Sequence, residues 1–314
     1  MRVLVTGGYG YVGGRLVQAL TRDAAFVVTA ASRAAQTARP DVRDVTVDWS
    51  DDASISALCR DQDAVVHLAA MNESDSERDP VGALRSNGLA TLALLRAAQA
   101  TGVCRFVYLS TSKVFGANPS GVIDEASLPH PANNYAITHR LAEDYVLAAR
   151  QPDKLETAVV RLSNAVGAPA DPGANAWMLI ANDLCRQAAA TGRIVLRSSG
   201  MAWRNFVGMG DVVAALRHVM TMSTDRLGDG LFHLGGPCSL RIADLAVMIA
   251  ERAQALFGRK IEVTQAHAAP GESHAEIDWR IGRLASTGWV PSPSFDGDID
   301  ATLRLCSVTF ERRA

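Results

Sequence analysis

Short apolar runs alternate with helical stretches through the first half of the chain. Val3–Thr6, Phe26–Ala30, Val45–Val47, Ala64–Leu68, Phe106–Ser110 and Thr157–Arg161 read as strands bounded by polar or glycine turns. Between them, Val12–Arg22, Ile55–Arg60, Val81–Ala100 and Tyr135–Ala149 place apolar residues at helical spacing. Strands apolar on both faces and separated by helices predict a parallel sheet covered on each side. After about residue 165 the alternation breaks at the Pro- and Gly-rich stretch Gly167–Gly173. Helical patterns return at Ala174–Thr191, Asp211–Met222 and Ser239–Phe257, with isolated strands at Ile194–Arg197 and Gly230–Leu234, and the stretch Ala268–Pro293 reads as irregular. The expected organisation is a nucleotide-binding domain over residues 1–165, and over 166–314 a smaller α/β lobe that returns some segments to the first domain.

Composition narrows the class. The 314 residues are 48% apolar and 20% charged, which excludes disorder and coiled coil. A formal charge of −2 without basic clusters argues against nucleic acid or an anionic membrane as partner. No apolar run approaches the roughly 18 residues of a membrane span. The N-terminus turns glycine-rich too early for a signal peptide. Five scattered cysteines without a Cys-x-x-Cys pair fit reduced thiols, and the expectation is a cytoplasmic protein without a structural metal.

Thr6-Gly7-Gly8-Tyr9-Gly10-Tyr11-Val12-Gly13 joins the first strand to the first helix. Glycines there permit a tight turn and let backbone approach a pyrophosphate at the positive helix N-terminus. This context predicts dinucleotide binding on a Rossmann-like, doubly wound sheet, with Gly7, Gly10, Tyr11, Val12 and Gly13 at the cofactor. The acid expected about 20 residues on, to bind the adenosine ribose, is absent. The second strand instead ends in Ser32-Arg33, a hydroxyl and a cation suited to a 2′-phosphate, so NADP(H) is expected over NAD(H). Asp48, after the third strand, is placed to meet the adenine amine.

The glycine loop, His67-Leu68-Ala69-Ala70, Asn87, Ser110-Thr111-Ser112, Tyr135 opening a helix, Arg161-Leu-Ser-Asn164-Ala-Val-Gly167, Arg204-Asn-Phe-Val207 with Asp211, and Gly288-Trp289-Val-Pro291 occur in order. Together they resemble the extended short-chain dehydrogenase/reductases, in their sugar-nucleotide epimerase/dehydratase branch. The resemblance implies hydride transfer between a nicotinamide and a sugar carbon, with Tyr135 moving the proton and Thr111 orienting the oxygen. It also implies that Leu68, Ala69, Ala70 and Asn87 line the cofactor, and that Ser112, Asn164 and Arg204 meet a nucleotide-sugar substrate. A homodimer through the Val81–Ala100 and Asn134–Ala149 helices is implied as well.

The chain departs from the pattern where the family carries a lysine four residues after the tyrosine: that position is His139. The expectation is that His139 anchors the nicotinamide ribose, with Lys113 as a candidate cation from the neighbouring loop. A family arginine is also missing, since Ala269 precedes Pro270-Gly271-Glu272. Three functions stay open. Expected first is reduction of a 4-keto sugar nucleotide, in line with NADP(H). The alternatives are NAD-dependent 4-epimerisation and a catalytically silent nucleotide-binding protein.

Overall fold

The computed structural model describes residues 1–34, 39–151, 153–269, 272 and 274–310. Its strands in chain order begin with β1 (Arg2–Thr6), β2 (Val27–Ser32), β3 (Val42–Thr46), β4 (Ala64–His67), β5 (Arg105–Thr111), β6 (Gly121–Ile123) and β7 (Glu156–Leu162). They continue with β8 (Asn164–Val166), β9 (Arg193–Leu196), β10 (Trp203–Gly208), β11 (Leu231–Leu234), β12 (Ser239–Arg241), β13 (Glu262–Gln265) and β14 (Ile277–Trp279).

Seven of these form one parallel sheet in the order β3-β2-β1-β4-β5-β7-β11. Side chains alternate across it. Val3, Val5, Val66, Val107 and Val160 pack on one face with Leu16 of helix Tyr11–Leu20 and Leu216 of helix Met209–Thr221. Leu4, Val65, Phe106, Tyr108 and Val159 pack on the other with Leu94 of helix Ala90–Thr101 and Val146 of helix Asn134–Ala148. Both faces are therefore apolar because both are covered. The strand order reverses between β1 and β4, and the glycine loop leaves β1 at that switch point, where such sheets hold ligands.

The smaller lobe has a core of its own. Helices Ile180–Thr191, Ile242–Phe257 and Asp296–Phe310 bury Leu184, Ile249 and Leu303 around Phe206 of β10. β10 pairs in parallel with β8 and antiparallel with β12, so it connects the end of the large sheet to the lobe. β14 pairs with β6 across more than 150 residues of chain.

Several elements differ from the sequence pattern. The third strand is Val42–Thr46, earlier than Val45–Val47, because this edge strand is only half covered and its apolar signal is weak. The long Val81–Ala100 helix divides into Pro80–Ala83, a π-helical turn Leu84–Leu89 and Ala90–Thr101. Helix Ala174–Thr191 begins only at Ile180, with Trp177 donating its ring N–H to the Pro172 carbonyl in the preceding turn. Ser239–Arg241 is drawn off as β12, and the supposedly irregular Ala268–Pro293 stretch contains β14 and the short helix Gly282–Ser286. No helix among the described residues is long and apolar enough to cross a membrane.

Candidate active site

The glycine loop is held to β4 by one hydroxyl. Thr6 lies 2.6 Å from His67 Nδ1, and its oxygen accepts from the backbone N–H groups of Leu68 and Ala69. His67 Nε2 meets the Thr91 hydroxyl at 2.9 Å, and Thr91 donates its own proton to the Asn87 carbonyl. Thr91 must therefore accept from His67, which puts the imidazole proton on Nε2 and makes Nδ1 the acceptor for Thr6. Burial holds this imidazole neutral, its pKa lowered to about 3. Asn87 continues the network, accepting from Met71 N–H at 2.7 Å and donating to Thr138 at 3.0 Å on the tyrosine-bearing helix.

Gly7 adopts φ +67°, a conformation that favours glycine. A side chain on Gly13 would come within 2.1 Å of the Gly7 carbonyl oxygen, so only glycine lets the helix start this close to the turn. The first turn of helix Tyr11–Leu20 has no side-chain cap and no acidic residue. Its unpaired N–H groups and dipole thus suit a pyrophosphate, and the loop fits a dinucleotide. Val12 packs against the core, while the Tyr11 hydroxyl donates to the Gly167 carbonyl and bridges to the smaller lobe. Ala70 is exposed just after β4. Asp48 is also exposed, and accepts from the N–H and hydroxyl of Ser50.

Tyr135 and Thr111 come together at the sheet's C-terminal edge, where the Thr111 hydroxyl favours the ionised phenol. Thr111 ends β5 and accepts from Lys113 N–H, capping the short helix Ser112–Phe115. Burial raises the Tyr135 phenol to about 12, with the nearby Thr111 hydroxyl opposing the rise and the Glu73 carboxylate adding to it.

His139 lies one turn further along the same helix, 3% exposed, with its ring edge-on to Tyr135 at 4.4 Å. Its Nδ1 is 2.7 Å from the Tyr108 hydroxyl, while its Nε2 is buried without a protein partner. Burial lowers its pKa to about 3. The imidazole is thus neutral at physiological pH and supplies no positive charge to Tyr135. Its orphaned Nε2 suits a hydroxyl of a bound nucleotide, a second observation that fits a dinucleotide here.

Below this pair, Glu143 accepts from Arg161 Nε and Nη2 at 3.0 and 2.8 Å and from the Ser110 hydroxyl at 2.5 Å, all buried. Tyr135, His139 and Glu143 recur every four residues and so form one stripe of the helix. Tyr108 and Ser110 alternate onto the strand face that meets it. The sequence reading missed Tyr108; that two-residue alternation on β5 was the available signal.

Ser112, Asn164 and Arg204 line one cleft between the sheet edge and the smaller lobe, with Lys113 and Trp279 in its wall. Asn164 donates to the Asn205 carbonyl at 2.9 Å. Arg204 is tied to the carbonyls of Trp203 and Ala117 and to Asn118 Oδ1. Ala269 is exposed; Pro270 and Gly271 lie outside the described residues.

A glycine loop at the switch point of a parallel sheet, on the same sheet edge as Thr111 and Tyr135, defines a dinucleotide-dependent oxidoreductase fold. The model of the NAD dependent epimerase/dehydratase family matches residues 3–235, and the chain belongs to that family. It is a family of enzymes that interconvert sugar nucleotides with a nicotinamide cofactor.

The chain is 26% identical to a UDP-glucose 4-epimerase of Azospirillum brasilense, over 96% of this chain and 91% of the relative. It is 30% identical to the low-salt glycan biosynthesis protein Agl12 of Haloferax volcanii, over 96% and 97%. Among solved structures it resembles MoeE5 in complex with UDP-glucose and NAD, at 25% identity and TM-score 0.79, covering 97% and 98% of the two chains.

The expectation of NADP(H) is corrected by these comparisons. MoeE5 is bound to NAD, as is the UDP-glucuronic acid 4-epimerase of Bacillus cereus, which at 20% identity shares the fold with a TM-score of 0.80. RMD of Pseudomonas aeruginosa, complexed with NADPH, matches with a TM-score of 0.74. Ser32 donates its hydroxyl to the Ala34 carbonyl at 2.6 Å, and Arg33 is exposed.

Proposed function

We propose that this chain is an NAD-dependent sugar-nucleotide 4-epimerase. The observation that supports the reading is that Thr111 and Tyr135 meet at the sheet edge from which the glycine loop also leaves, with Thr111 adjoining Ser112 of the cleft that Asn164 and Arg204 line. When bound, NAD supplies a reversible hydride acceptor beside that pair. Tyr135 takes the proton of the sugar hydroxyl and gives it back, while Thr111 holds the oxygen in line. Gly7, Gly10 and Gly13 shape the pyrophosphate cradle, with Leu68, Ala69, Ala70 and Asn87 along the nucleotide. His139 offers Nε2–H to the nicotinamide ribose as a neutral donor. Asn164 and Arg204 receive the diphosphate, for which a permanently charged guanidinium is suited.

Net 4-keto reduction rested on NADP(H) and loses its main support with that correction. Dehydration is less favoured, because Ser112-Lys113 follow Thr111 where the family's dehydratases carry Asp-Glu. Residues 1–165 form the cofactor domain in this reading and 166–314 mainly the substrate lobe. Exposed Val81, Leu84 and Leu89 on the turns of residues 80–89 and Ile137 on helix Asn134–Ala148 support a self-associating face.

The test is incubation of the purified protein and NAD with UDP- and dTDP-hexoses, with the sugar configuration read by NMR. Formation of the C4 epimer without net NADH supports the reading. Stoichiometric NADH with a 4-keto sugar and no epimer would replace epimerisation by net redox chemistry, the reverse of 4-keto reduction.

A further inference from the structure

A tyrosine that exchanges protons near neutral pH needs a neighbouring positive charge, because its ordinary pKa is near 10 and burial raises it further. Its own helix does not provide one here. His139 is neutral and bonded to Tyr108, Arg140 is paired with Glu143 and Asp144, and the deeper Glu143 also holds Arg161 and Ser110. From β5, Tyr135 is faced by Thr111 and Tyr108, both uncharged. On the cleft side the charge that acts on the phenol is the Glu73 carboxylate, and Lys113 stands beside that carboxylate. Glu73 opens helix Glu73–Arg78 and accepts from Asn133 Nδ2 at 2.7 Å, the residue that caps the helix of Tyr135. Lys113 Nζ stands 3.4 Å from the other oxygen of Glu73, on the turn that Thr111 caps. Both partners are thus anchored to the elements that carry the two reacting hydroxyls. Arg204 also feels Glu73, but its guanidinium is bonded to the Ala117 and Asn118 loop.

We propose that Lys113, positioned by Glu73, supplies from the cleft wall the positive charge that lets Tyr135 exchange its proton. The cation has moved from the helix to the turn after Thr111, and Glu73 both locates it and offsets part of its charge. This rests on Tyr135 being the proton-transfer residue. The balance is simple: the sugar hydroxyl proton passes to the Tyr135 oxygen and returns, and Lys113 keeps its own protons throughout.

The sign of each perturbation follows. Without Lys113, Glu73 alone faces the phenol and raises its pKa; without Glu73, Lys113 alone lowers it. The experiment follows the Tyr135 Cζ resonance against pH in 13C-tyrosine-labelled full-length protein saturated with NAD, assigned by its loss in Tyr135→Phe. Lys113→Met is expected to raise the Tyr135 pKa by about one unit, Lys113→Arg to restore it, and Glu73→Gln to lower it. In turnover, the acid limb of the kcat profile should move in the same directions with KM little changed. An unmoved Tyr135 titration in Lys113→Met, or an upward shift in Glu73→Gln, overturns the proposal. Because the titration contains no sugar, its outcome is independent of whether epimerisation is the reaction.

Discussion

The Tyr108 hydroxyl stands 2.7 Å from His139 Nδ1, and that contact decides what the histidine can do. No other hydrogen-bond acceptor competes for the Tyr108 proton among the described contacts, so Tyr108 donates and the imidazole proton sits on Nε2. The ring is therefore a fixed, neutral donor aimed from the helix that carries Tyr135. Tyr108→Phe should leave Nδ1 buried and unpaired, at a cost of about 1–3 kcal/mol of stability. Urea denaturation measures the loss. Weaker NAD binding in titration calorimetry should accompany it, since the tautomer is no longer fixed.

The three buried histidines set an acid limit. Burial lowers His67, His139 and His233 to about 3, against an ordinary value near 6.5. In this range the unfolded chain binds protons that the folded chain refuses. The stabilisation is thus complete above about pH 6.5 and is lost as pH falls toward 3. Unfolding free energy measured between pH 7.5 and 5 should fall, by up to about 1.4 kcal/mol per pH unit for each histidine. The His67→Gln variant should show a shallower slope.

Glu143 and Arg161 form a buried pair under the site, 0% and 1% exposed at their side chains. Glu143→Gln removes the countercharge but leaves the guanidinium buried, which costs about 3–5 kcal/mol. Thermal unfolding should show a large fall in Tm, and His139 one turn away should lose its fixed position.

The glycine loop predicts a binding defect. Gly13→Ala drives a methyl to 2.1 Å from the Gly7 carbonyl, and neither backbone segment can yield without opening the turn. NAD affinity should fall at least tenfold, read by fluorescence titration, while Gly10→Ala, whose nearest contact is 3.2 Å, should be milder.

The strands β1, β4, β5 and β7 were legible because each is a short, two-sided apolar run, and so was the glycine loop between strand and helix. The sequence order of Thr111, Tyr135 and His139 was legible too. The state of His139 was not, because it depends on Tyr108, 31 residues away on another element. Likewise β14 lies in a Pro- and Gly-rich stretch and is a strand only because β6 offers it an edge. The π-turn at Leu84–Leu89 is invisible to periodicity, since Asn87 is turned inward by Met71 and Thr138 rather than by apolar burial. The Ser32-Arg33 reading shows the converse error. Residue types suited to a phosphate were present, but residue type alone does not set the cofactor, and the Ser32 hydroxyl is bonded to the Ala34 carbonyl.

Tyr135→Phe should lower kcat by about 10²–10⁴-fold while NAD still binds, as expected for loss of a positioned proton-transfer group. Single-turnover kinetics beside a binding isotherm separates the two effects.

The most direct test of the account uses a sugar nucleotide carrying deuterium at C4. If the enzyme removes and returns one hydride at that carbon, the C4 epimer forms with deuterium still on C4, and the label appears on the cofactor only transiently. Epimer formation with the deuterium lost to solvent, or no exchange at C4 in the presence of NAD, would contradict it.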